Sequence, residues 1–285
     1  MRPMVYNGFF PLKMFLCRRC FFRKSLAIGF FAVFLGTGCS TVAEDFARQA
    51  KLLNLEREVM RGSNFQHVVY RKSGNSSATL HVYIDGDGTP WIAGRPTDDP
   101  TPRNALLLKL MSLDPASSAY VGRPCYHGMH STDACASRFW LSHRYGEAVV
   151  VSLAEVIKHL LRSGRYRRIA LIGHSGGGTL AVLLASRLPE TVAVVTVAAN
   201  LDLSAWAAYT ENDDLNASLN PAELPALDPS IKQYHFAGGK DDIVPPALMV
   251  NAAKQLGSNL IVIDDYDHVC CWERLWANIL DDVGE

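Results

Sequence analysis

A chain of 285 residues, 48% hydrophobic and 20% charged, can bury one large core and is too short for more than two small domains. Its formal charge of zero conceals an asymmetry. The first 38 residues carry six basic residues (Arg2, Lys13, Arg18, Arg19, Arg23, Lys24) and no acidic one, which leaves 22 basic against 28 acidic groups beyond them. A mildly acidic body offers no phosphate-neutralising patch and argues against a nucleic-acid partner.

The basic leader runs into an apolar stretch at 26–35 and then into Gly36-Thr37-Gly38-Cys39-Ser40, the order of an export signal over 1–38. The apolar stretch is short for a membrane span but suits a signal peptide, and Met14 offers an alternative start within the long basic region. The small residues before Cys39 resemble a bacterial lipobox, although Gly36 stands where Leu is usual and Leu35 lies one step earlier. The resemblance implies a periplasmic protein with Cys39 lipidated, and Ser40 then favours the outer membrane. A single lipidated terminus anchors a soluble domain to a membrane without spanning it. The alternative is an ordinary signal peptide with a chance cysteine.

Residues 43–60 have helical spacing with mixed charges and read as a tether or N-terminal helix, which places the folded domain at 63–285. A strand at 66–71, a polar hairpin at 72–78 and a strand at 79–84 follow, and the last runs into Asp85-Gly86-Asp87-Gly88-Thr89-Pro90-Trp91. Trp91 is expected to wall a pocket. Residues 102–113 read as an amphipathic helix and 119–122 as a short strand. Beyond it stand Cys125, His127, His130 and Cys135. An even number of cysteines in an exported body suggests disulfides rather than a metal site, so no metal and no cofactor is expected. Cys125 with Cys135 would close a small loop. Cys270 and Cys271 are adjacent, a spacing that strains a direct bridge, which leaves buried thiols or other partners as alternatives.

A polar segment from Ser142 becomes a helix to Arg162 whose apolar side is Val149, Val150, Leu153, Val156, Ile157, Leu160 and Leu161. Next comes Ile169-Ala170-Leu171-Ile172-Gly173-His174-Ser175-Gly176-Gly177-Gly178-Thr179, a strand entering a Gly-x-Ser-x-Gly turn and leaving as a helix. So tight a turn strains its central residue and lifts the Ser175 hydroxyl out of the sheet. It also sets the N–H of Gly176 at a helix start, ready to donate to an oxyanion. A buried strand at 192–199 follows, then a stretch at 200–232 long enough only for a small cap. Strands at 234–238 and 260–263 and a closing helix at 272–280 complete the chain. Strand alternating with helix predicts a mostly parallel sheet covered on both faces.

On these motifs the chain, from Tyr83 through His268, resembles the α/β-hydrolases, and among them bacterial exported hydrolase lipoproteins of unassigned function. The resemblance implies a triad in the order serine, acid, histidine, with the acid after the next-to-last strand and the histidine after the last. Asp241, in Gly-x-x-Asp-x-x-Val-Pro from Gly238 to Pro245, and His268 fill those places beside Ser175. The resemblance also implies that the loop after 79–84 supplies a second oxyanion donor, the backbone N–H of Asp87. Asp242 and Asp202 are rival acids. Of nine histidines, seven lack strand-end context, and His174 is expected to turn away from the Ser175 hydroxyl. The expectation is a carboxylic-ester hydrolase acting on a small or lipid-like acyl substrate. Acyl transfer, thioester or peptide cleavage would use the same machinery, and a non-catalytic envelope-binding module is the alternative from another class.

Overall fold

The computed structural model describes residues 40–75, 78–163, 166–211 and 215–284; the leader and Cys39 lie outside the described residues. The strands are β1 (Glu56–Arg61), β2 (Gln66–Lys72), β3 (Thr79–Ile84), β4 (Trp91–Ile92), β5 (Arg95–Pro96), β6 (Ser118–Val121), β7 (Arg168–His174), β8 (Thr191–Val197), β9 (Lys232–Gly238) and β10 (Leu260–Ile263). Eight of them form one sheet in the order β1-β2-β6-β3-β7-β8-β9-β10, and β4 with β5 makes a separate ribbon. From β6 to β10 every pairing is parallel; β1 and β2 add an antiparallel edge.

Both faces of the sheet are buried, which explains why β7 and β8 are apolar almost throughout. Leu80, Val82 and Ile84 of β3 and Ile169 and Leu171 of β7 enter one core, together with helices α3 (Glu147–Arg162) and α4 (Gly176–Ala185). Tyr83, Ala170 and Ile172 point to the other face. There they meet α1 (Val42–Leu52), α2 (Leu106–Leu113) and α7 (Trp276–Gly284). The seven apolar residues expected on one side of α3 are all buried. Every residue of α4 is buried, so this helix needs no polar face.

Several boundaries differ from the sequence reading. Of the two readings of the 39–62 segment before the domain, residues 42–52 fit the N-terminal helix. The helix ends at Leu52, Asn54 turns left-handed, and residues 56–61 pair with β2 as an edge strand. Phe46 of α1 is buried against Tyr70, Tyr120 and His127, which ties the helix into the core. Helix α2 begins only after Asn104, whose side-chain oxygen accepts from the N–H of Leu106. The closing helix is preceded by a separate 3-10 turn, Trp272–Arg274. Trp91 does not wall the pocket. Left-handed Ala93 and Gly94 fold β4 and β5 into an outward ribbon that leaves it exposed.

Cys125 and Cys135 form a disulfide with Cα atoms 5.6 Å apart, closing the small loop expected of them. Cys270 and Cys271 are bonded to each other, and Cys270 is exposed; neither buried thiols nor distant partners describe them. Among the described residues no helix is long and apolar enough to cross a membrane.

Candidate active site

Parallel strands deliver their following loops to one edge of the sheet, and there β3, β7, β9 and β10 each contribute. At the end of β7, Ser175 has φ 52° and ψ −128°, a conformation that costs a non-glycine residue about 1–3 kcal/mol. Packing of the turn holds it there. A Cβ on Gly173 would collide with the carbonyl of Gly177, and one on Gly177 with the carbonyl of Ile84. These glycines let strand, helix and neighbouring loop close on each other. A Cβ on Gly86 would lie 3.5 Å from Oγ of Ser175, so the 85–88 backbone runs directly beside the hydroxyl.

Asp241 follows β9 and is buried. Its Oδ1 accepts from the N–H groups of Ile243 (2.9 Å) and Val244 (2.8 Å), and its Oδ2 accepts from Nδ1 of His268 at 2.9 Å. The ring of His268, on the loop after β10, is thereby oriented, and Nε2 has no hydrogen-bond partner among the described residues. Ser175 and His268 line one cavity of about 380 Å³, with Asp85, Asp87, Arg103, Arg144, Trp206 and Val269 among its walls. No hydrogen bond joins Oγ of Ser175 to the ring of His268; catalytic contacts of this kind commonly tighten only once substrate binds.

Neither rival acid is bonded to the ring of His268. Asp202 caps helix α5 (Leu203–Thr210) by accepting from the N–H groups of Ser204 and Ala205. Asp242 is exposed, and its carbonyl accepts from the Tyr209 hydroxyl. Helix α5 is the small cap, clamped to the acid loop by that bond and by Trp206 Nε1 donating to the carbonyl of Ile243 at 2.9 Å.

His174 has a partner that its sequence position does not reveal. Burial, assisted by the neighbouring His268, pushes its pKa down to about 4. The neutral ring donates from Nε2 to the carbonyl of His268 at 2.7 Å, with the two rings 5.0 Å apart. It is a brace for the His268 loop.

Asp87 brings in a larger group that sequence reasoning missed. The expectation concerned only its backbone. In the structure its carboxylate accepts from Nη1 of Arg123, from Nη1 of Arg144 (2.9 Å) and from the Tyr145 hydroxyl (2.7 and 2.6 Å), while its carbonyl accepts from Tyr126. Burial works against ionisation of this carboxyl. The fields of Arg144 and Arg123 and the Tyr145 bond outweigh burial and hold it below the usual carboxylate range. Asp85 is the opposite case: burial raises it to about 7, only partly countered by the Gly86 amide and the Tyr120 hydroxyl. The carboxylate of Asp87 lies against Gly176, where any Cβ would strike it and the Tyr145 oxygen. The available signal was position: Arg123 follows β6 and Arg144 precedes α3, both on loops that the topology sends to this edge.

Strand order and the strand–elbow–helix unit define an α/β-hydrolase fold. The profile of the Esterase family matches residues 110–263, more than half of the chain, and the chain belongs to that family. The matched range holds Ser175 and Asp241 and ends short of His268. Among solved structures, an esterase from Pyrococcus furiosus superposes with a TM-score of 0.60 at 14% identity, covering 82% of this chain and 92% of its own. A membrane phospholipase A, titled a novel bacterial virulence factor, gives 0.57 at 13% identity, covering 86% and 91%. An acylaminoacyl peptidase from Pyrococcus horikoshii gives 0.51 at 12% identity, covering 81% of this chain and 41% of that one. Such identities speak for the fold alone. No curated protein sequence matches the chain.

Proposed function

We propose that this protein is a serine hydrolase that cleaves an ester-like acyl bond through an acyl-Ser175 intermediate. One observation carries the reading: a strained serine and an aspartate-bound histidine, 93 residues apart in sequence, wall the same cavity. Nε2 of His268 takes the proton of the Ser175 hydroxyl as Oγ bonds to the acyl carbon, and the carbonyl electrons move to oxygen. Asp241 holds the ring tautomer and stabilises the imidazolium. The N–H groups of Gly176 and Asp87 are assigned to the oxyanion; losing one such donor costs about 3 kcal/mol of barrier. Collapse breaks the bond to the leaving alcohol, which departs with the proton from His268. Water, deprotonated by the same ring, then bonds to the acyl carbon, and the acid leaves as the carbon–Oγ bond breaks and His268 returns the proton to Ser175.

The reading includes export, with lipidation at Cys39 and an outer-membrane address as its finer part. The Cys125–Cys135 bond supports an oxidising compartment. The decisive test is labelling of the purified protein with a fluorophosphonate, followed by a panel of p-nitrophenyl esters of graded chain length. Label on Ser175 with ester turnover is the expected result. A folded protein that takes no label is a binding module instead.

A further inference from the structure

Arg123 and Arg144 share a single carboxylate. Asp87 gives one oxygen to Nη1 of each. Arg123 donates Nη2 to the carbonyl of Arg144 at 2.8 Å and lies 5.2 Å from the ring centres of Tyr126 and Tyr145; its Nε is buried without a partner among the described residues, but it does not line the cavity. Arg144 is the one that reaches it. It is 3% exposed and lines the cavity, yet Nη2 meets no acceptor among the described residues, and its Nε is buried without one. Nε and Nη2 lie on one edge of the guanidinium, the edge whose parallel N–H groups suit a carboxylate or phosphate. The rings of Tyr145 and Trp206, each centred 5.8 Å from its Cζ, hold the side chain in place without cancelling its charge.

The remaining charges around the cavity do not supply the missing anion. His174 is neutral, and the carboxylate of Asp241 is taken by two amides and His268. Asp85 is buried, turns one oxygen to the Gly86 amide, and ionises only near neutrality. Arg103, exposed at the rim, adds another positive group. The Asp87 carboxylate that binds Arg144 also lies, with the Tyr145 hydroxyl, against Gly176, the residue after Ser175, so an anion at Arg144 would sit a short chain away from an acyl carbon at Ser175.

We infer that Arg144 forms a subsite in this cavity for an anionic group, a carboxylate or a phosphate, carried by the substrate close to its scissile ester. This rests on the hydrolase reading of the same cavity and narrows its substrate class.

The test compares kcat/KM within matched pairs. In one, p-nitrophenyl hydrogen glutarate is set against p-nitrophenyl pentanoate; in the other, butanoyl-glycerol 3-phosphate against butanoyl-glycerol. Wild type is expected to favour the anionic member of at least one pair by about tenfold or more, an ordinary yield for a charge-assisted contact. The favoured pair names the source of the anion. Arg144→Gln also loosens Asp87, so both members of a pair slow down; the informative quantity is their ratio, which should fall about tenfold, with Arg144→Lys intermediate. Absence of preference in both wild-type pairs, or a ratio unchanged in Arg144→Gln, overturns the inference. Should Arg144→Gln fold poorly, competitive inhibition of wild-type pentanoate hydrolysis by glutarate or glycerol 3-phosphate replaces it, and no inhibition by either overturns the inference. Fluorophosphonate labelling in parallel keeps the two readings apart. If label is refused, thermal protection by the same two anions still reads the subsite: protection lost in Arg144→Lys supports it, and no protection sinks it.

Discussion

His81 and His268 make nearly the same contact. Each donates from Nδ1 to an aspartate Oδ2, at 2.7 Å to Asp114 and 2.9 Å to Asp241. The other oxygen of each acid accepts backbone N–H groups, from Ala116 in one case and from Ile243 and Val244 in the other. The surroundings differ. His81 sits within β3, Asp114 ends α2, and the Tyr83 hydroxyl closes the pair at 2.6 Å. His268 and Asp241 sit on loops beyond the ends of β10 and β9, and His268 opens onto the cavity that holds Ser175. An oriented imidazole is thus a structural device wherever it is buried. It becomes a candidate base only at the edge where parallel strands release their loops.

The hardest strain on that comparison comes from deleting each ring. Ser175→Ala and His268→Ala should each lower kcat by about 10⁴-fold or more with little change in unfolding midpoint. His81→Ala should do the reverse, keeping kcat/KM within a few-fold while losing about 1–3 kcal/mol of stability, because buried Asp114 loses one of its hydrogen-bond donors. Ester kinetics and urea unfolding on the three variants decide this; activity surviving in His268→Ala would mean another base serves Ser175. Asp241→Asn should follow the catalytic pattern, with a loss of about 10⁴-fold, and Asp114→Asn the structural one.

Acid titration sharpens the contrast in another way. Burial holds His67, His174 and His235 at about 4 and His127 at about 3. Below about 6.5 the unfolded chain binds protons that these folded rings refuse, so stability rises with pH between about 4 and 6.5 and is lost on acidification. Asp85, raised to about 7, pulls in the opposite sense over much of that window, but it is one group against four. A midpoint of thermal unfolding that stays flat from pH 6.5 to 4.5 would contradict this. The Asp87 cluster should register a smaller effect: Tyr145→Phe removes one donor to a charged carboxylate, worth about 1.5–3 kcal/mol at most, and should lower kcat by about tenfold with KM for a neutral ester little changed. Smallest is Asp202→Ala, expected to cost about 1 kcal/mol of stability through the lost cap while leaving turnover within about twofold. A collapse of activity there would return Asp202 to contention as the acid.

Signals that lie within a dozen residues were readable from the chain. The elbow at Ser175 was one, because an apolar strand, small residues and an apolar helix must follow one another for the turn to close. The Asp241 and His268 loops were placed by the alternation of strand and helix and by resemblance to a known order of motifs. The helical face of α3 followed from its periodicity. What eluded reading was set by pairing and packing that the pattern of one segment does not show. Residues 56–61 look helical alone and become a strand because β2 offers them an open edge.

The chain by itself therefore determined the elbow, the alternating layers and the loops that carry the proposed triad, since each depends on local steric and hydrophobic pattern. Tertiary structure alone decided that His174 braces His268, that Asp87 is a half-buried counter-ion to two arginines, and that Arg144 lines the cavity with its Nε unmet among the described residues. Those outcomes depend on which charges meet once water has left the space between loops, and no stretch of sequence carries that information alone.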